Sequence, residues 1–149
     1  MKSLFEEDVH KEIVERISRL KPDTPRLWGK MDAAVMLKHC NLVLSSSLGP
    51  APKKRAIMSY LFRKVAKKQY VYKEVYKKNG YTAPQFVVTG RVDFHKEREN
   101  LNASIVEFRN AGEKTYENRL HAFFGRLSAK EWGMLQYNHL NHHLVQFGL

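Results

Sequence analysis

The residues of this chain best equipped for chemistry stand at its end, in the stretch HLNHHLVQFGL. His139, His142 and His143 fall within it, close behind Trp132 and Leu135. On a helix, His139 and His143 lie one turn apart on the same side. Trp132, Leu135 and Gln146 share that side, which marks it as the one facing the core. His142 falls at its edge. Two imidazoles spaced in this way can both reach one divalent ion at about 2.0–2.1 Å. A third ligand is available in MDAAVMLKHCNLVLSSS, where Val35, Met36, Leu42 and Val43 lie on the same side of a helix as His39. Three histidines on facing helices leave coordination positions open, as catalytic rather than structural sites do. The alternative is that each inward histidine is satisfied by a hydrogen bond. Gln146 points inward and is placed to orient a ligand through its side-chain amide.

Other chemically able residues are less well placed. His121, in HAFFG just before the last helix, is a candidate general acid or base, a substrate contact, or a loop hydrogen-bonder. His10 shares a face with Ile13, Val14 and Ile17, so it is a candidate fourth ligand or a polar contact. Cys40 turns about 100° away from His39 and reads as a small apolar residue. It is the one cysteine in the chain, so no internal disulfide can form.

The elements that must position these groups are helices. Residues 4–20 repeat apolar positions at Val9, Ile13, Ile17 and Leu20, the helical period, and Pro22 and Pro25 end the run. Residues 31–47 are apolar over most of their circumference, which predicts a buried helix stopped at Gly49-Pro50. Residues 53–81 predict extra short helical or irregular pieces: AIMSYLFRKVAKK reads as a helix with a basic outer face, and YVYKEVYKKNGY is rich in β-formers but also fits a helical turn or two ending at Asn79-Gly80. Residues 93–110 carry one stripe, Leu101, Ile105 and Phe108, closed by Ala111-Gly112. A long connection, GEKTYENRLHAFFGRL, leads to the last helix, which Ser128 and Glu131 open as a capping box and which runs to about Phe147. Four amphipathic helices in one domain of 149 residues predict an all-α antiparallel bundle.

The charge of +11 is local: residues 53–80 hold ten Lys/Arg against a single acid, Glu74. Such a patch can attract anions. With Tyr60, Tyr70, Tyr72 and Tyr76 as stacking groups it would suit a single strand of nucleic acid, but no recognised nucleic-acid motif accompanies it, and a solvated face is the simpler reading. No signal peptide or spanning segment is visible, so a cytoplasmic protein is expected.

Several separated motifs together resemble a known family. His39 late in the second helix and H-x-x-x-H-x-x-Q over residues 139–146 are similar to the DinB/YfiT-like superfamily. The stretches WGKM at 28–31, MLKHC at 36–40, HAFFG at 121–125, the capping box with Glu131-Trp132, and the ending HLNHHLVQFG resemble one bacterial branch of it, a domain of unknown function of about this length. One departure is Ala122, where proline is expected after the loop histidine. The resemblance implies an up-down-down-up four-helix bundle, often a homodimer, with a divalent metal such as nickel, zinc or iron on His39, His139 and His143. It also implies possible chemistry, a thiol S-transferase using a small bacterial thiol or a hydrolase-like reaction. The competing expectations are a non-catalytic dimeric bundle and the basic-patch nucleic-acid module.

Overall fold

The computed structural model describes residues 1–52, 57–73 and 76–149, with the side chains of 57–61 not described. Lys53, Lys54, Arg55, Glu74 and the Tyr60 side chain, all part of the basic-segment reading, therefore lie outside the described residues. The chain is mostly helical: α1 Glu7–Arg19, α2 Ala33–Leu48, α3 Ile57–Tyr70, α4 Phe94–Tyr116 and α5 Ala129–Gln146. A short hairpin, β1 Arg119–His121 with β2 Gly125–Leu127, and a single 3-10 turn at Pro84–Phe86 complete it. No helix among the described residues is long and apolar enough to cross a membrane.

Three helix starts, those of α2, α4 and α5, have a side-chain cap. Asp32 accepts from the Val35 amide at 2.8 Å and Asp93 from the Lys96 amide at 2.8 Å. Ser128 and Glu131 form the expected reciprocal capping box, which satisfies amides that have no partner inside the helix. The stripes then meet in one core. Ile13 and Ile17 of α1, Met36, Leu37 and Leu44 of α2, Leu101, Ile105 and Phe108 of α4, and Trp132, Leu140 and Leu144 of α5 are all buried. Full burial of one such side chain contributes about 1.5–3 kcal/mol.

Contacts between helices advance in regular order. Along α2 and α4, Lys38 meets Glu97, Asn41 meets Ser104, and the Ser47 carbonyl meets Tyr116. From the segment leading into α1 to its last turns, the Leu4 amide meets the Gly133 carbonyl of α5 and Arg16 reaches the Leu149 carbonyl just beyond α5. Glu7 at the start of α1 pairs with Arg109 near the end of α4. Trp28, just before α2, takes a hydrogen bond from Gln146, at the end of α5.

α3, of 14 residues, is the helix that AIMSYLFRKVAKK predicts. Three features differ from the sequence reading. Gly112 does leave the helical conformation, with φ 73° and ψ 160°, but the chain resumes a turn beyond it to Tyr116. The long connection after it is in part the β1–β2 hairpin, with positive φ at Asn118 and Gly125 shaping its bends; three-residue strands are too short to show an alternating pattern. α5 is enclosed on nearly every side, because the end of α3 covers its back. Asn138, expected to point away from the core, is 0% exposed, and its amide donates to the Tyr70 and Val71 carbonyls at 3.3 and 2.8 Å.

Candidate metal centre

His39 sits midway along α2, one position off the fully buried stripe of Met36, Cys40 and Leu44. Its face companions Val35, Leu42 and Val43 are only half-buried. The imidazole is nevertheless buried, because α5 and the segment around Phe86 close over it. Its Nδ1 lies 2.9 Å from the Phe86 carbonyl. A carbonyl can only accept, so Nδ1 carries the proton and Nε2 presents a lone pair.

That lone pair faces α5. His39 Nε2 and His139 Nε2 are 3.1 Å apart, and the His143 ring lies 4.8 Å, centroid to centroid, from both. One ligand atom from each of the three falls within 4.8 Å of the others. His143 is fixed like His39: its Nδ1 is 2.9 Å from Gln146 Oε1, and the Gln146 amide in turn donates to the Trp28 carbonyl at 2.8 Å. A glutamine oxygen only accepts, so Nδ1 of His143 is the protonated nitrogen and Nε2 is left with a free lone pair to offer a metal ion. Gly29 makes this chain of bonds possible. It has φ +82°, and a Cβ there would lie 2.4 Å from Gln146 Nε2.

Three imidazoles are a donor set that suits a divalent ion, and one pair already has the spacing of two ligands on it. Neighbouring ligands at about 2.0–2.1 Å from one ion are roughly 2.9–3.4 Å apart, and the 3.1 Å separation of the two Nε2 atoms falls inside that range. The protonation states agree. Burial pushes His143 down to about 3, helped by nearby His39, and holds His139 well below the usual histidine range, with His143 and His39 adding to the effect. Burial lowers His39 as well, against the Phe86 carbonyl. All three are neutral at pH 7, the form that binds metal.

The remaining candidates fall around this cluster. His142 is half-buried at its edge, its ring 5.2 Å from Tyr76 and 6.0 Å from Trp28. His121 belongs to the hairpin. Its ring packs 5.1 Å from Trp132, which stands seven residues, or about 10 Å of helix, before His139. Its Nδ1 accepts the Phe123 and Phe124 amides at 3.0 and 3.1 Å, so it organises the turn, and burial lowers it to about 4. His10 also stays outside the cluster, both ring nitrogens enclosed with no partner among the described residues. Cys40 is buried core, its thiol 3.6 Å from the Met36 sulfur and pushed up by burial.

The groups that sequence reasoning missed are backbone ones. The Phe86 and Trp28 carbonyls orient two of the three histidines, yet any residue type could supply a carbonyl; only Gly29 beside Trp28 leaves a trace in the sequence. No curated protein and no solved structure matches the chain. A family model described as a protein of unknown function (DUF1569) matches residues 2–148, and the chain belongs to that family.

Proposed function

We propose that this chain is a metal-dependent enzyme of the DinB-like type, holding one divalent ion on His39, His139 and His143. The observation that carries the reading is the meeting of three neutral imidazoles from two helices, two of them with Nδ1 already committed to an oxygen acceptor. The order of helix contacts supports an up-down-down-up bundle: the contacts of α2 and α4 advance in one sense, those of α1 and α5 in one sense, and Glu7 pairs with Arg109 across opposed helices. Imidazole donors suit zinc, nickel and iron alike.

The ion would supply Lewis-acid chemistry, stabilising the thiolate form of a small thiol so that it can attack an electrophile. The chain's own residues keep the site ready for this. Phe86 and Gln146 hold the ring orientations, and burial keeps protons off the ligand nitrogens. Tyr76, Trp28 and His142 border the cluster and would limit access by water. The same reading carries a homodimer and a small thiol as co-substrate.

The test is elemental analysis of tag-free protein purified without chelator. About one ion per chain is expected, and His139→Ala should lose it. Metal retained at the wild-type level by that variant would overturn the ligand set. Metal-loaded protein then requires a screen of thiols against electrophiles.

A further inference from the structure

A second feature of the molecule is untouched by this chemistry. Arg63, Lys64 and Lys67 of α3, with Phe124 and Arg126 of the hairpin, line a cavity of about 270 Å³. Lys67 is paired with Glu131 at 2.7 Å. Arg63, Lys64 and Arg126 enter no ion pair among the described residues, and all three are exposed. Arg126 spends one Nη on the Asn118 carbonyl at 2.9 Å, which fixes its side chain and leaves other donors of the guanidinium available. Phe124 is held by its contacts with His121 and Tyr70 and gives the cavity one apolar wall. Lys67 marks the level of Glu131 on α5, eight residues or about 12 Å of helix before His139, so this cavity is separate from the histidine cluster.

We propose that this cavity binds a small organic phosphate, a phosphomonoester whose dianion lies among Arg63, Lys64 and Arg126 and whose apolar portion rests on Phe124. Three cations on two different elements converge on one concave space, which is what a doubly charged, compact group needs. Two of them are guanidiniums, whose planar donor pairs match phosphate oxygens. The volume is small by the standard of ligand pockets and suits a phosphate with a ring or short chain, while a dinucleotide would overfill it. A polynucleotide would need cations spread along a groove and would gain affinity with length.

The test uses the full chain in low salt and titrates phenyl phosphate, inorganic phosphate, benzyl alcohol and a single-stranded RNA by calorimetry. Phenyl phosphate should bind one-to-one with Kd below about 1 mM, more tightly than inorganic phosphate, and benzyl alcohol should not bind. Arg63→Gln combined with Lys64→Gln, both exposed helix positions, should weaken phenyl phosphate at least about tenfold with unchanged circular dichroism and unchanged metal content. Arg126→Gln should do the same. The proposal is overturned if phenyl phosphate shows no saturable binding, if the variants bind it as the wild type does, or if RNA binds more tightly with affinity rising with length. Metal content reads the histidine cluster independently, so a failure here leaves that reading standing.

Discussion

Replacing Gly29 by alanine should weaken metal binding without touching a ligand. The glycine holds φ +82°, and an added Cβ would lie 2.4 Å from Gln146 Nε2. That nitrogen is 2.8 Å from the Trp28 carbonyl, while the oxygen of the same carboxamide is 2.9 Å from His143 Nδ1. Restoring ordinary contact requires the carboxamide to retreat by roughly 1 Å, enough to break at least one of these two bonds. Alanine in the left-handed region costs about 1 kcal/mol, and the lost hydrogen bond about another. The metal-free protein should therefore lose about 2 kcal/mol, or roughly 4–8 °C in Tm for a chain of this length. Loosening the partner that orients a histidine ligand should lower ion affinity by about 10–100-fold.

Gly90 supplies the control. It has φ +83°, but a Cβ added there would meet nothing within 4 Å, so Gly90→Ala should lose about 1 kcal/mol and keep its ion affinity. The measurements are thermal melts in excess chelator and competition for the ion against a fluorescent chelator. If Gly29→Ala and Gly90→Ala behave alike in both, the Trp28–Gln146–His143 chain does not position the site and the reasoning fails.

Two further outcomes are expected. Gly133 lies within α5, where alanine would ordinarily gain about 1 kcal/mol in helix propensity. A Cβ there would lie 2.0 Å from Ser3 Oγ and 2.9 Å from the Phe5 ring, so Gly133→Ala should destabilise the fold in urea unfolding; a stabilised variant would mean the N-terminal segment does not pack on α5 as described. His121 concerns pH. Its folded value is depressed from 6.5 to about 4 by burial, so the unfolded chain binds the proton first. Its contribution is full above about pH 6.5 and is lost as pH falls toward 4, amounting to about 3 kcal/mol at most. Urea unfolding of wild type and His121→Gln in chelator at about pH 7.5 and about pH 5 should show the wild type losing more stability than the variant; equal losses would contradict the assignment.

The candidate site was legible where it rests on local periodicity. The four-residue spacing of His139 and His143 and the apolar company of Trp132 and Leu135 put both on the inner side of α5, and the Ser128–Glu131 box announced where that helix starts. The partnership with His39 was an inference from two inward faces, and the two Nε2 atoms do stand 3.1 Å apart. What spacing could not reveal is long-range. Phe86 is 47 residues from the histidine it orients, and Trp28 reaches Gln146 across 118. The enclosure of Asn138 depends on where α3 ends, which no pattern within α5 records. The hairpin escaped for the opposite reason: its strands are too short to carry a pattern, and only Asn118 and Gly125 mark its bends.

The bond from His39 to the Phe86 carbonyl has a thermodynamic side. Phe86 lies in a stretch between α3 and α4 with only one 3-10 turn of regular structure among its described residues, so little of its own backbone bonding keeps it in place. Through that carbonyl, the placement of the stretch and the basicity of the ligand nitrogen become linked quantities. An ion held by the three histidines would favour the docked stretch, and whatever docks the stretch would tighten that ion by the same factor, since coupling between two equilibria is reciprocal. A substrate that pressed on residues 81–93 would then be felt at such an ion with no direct contact between them.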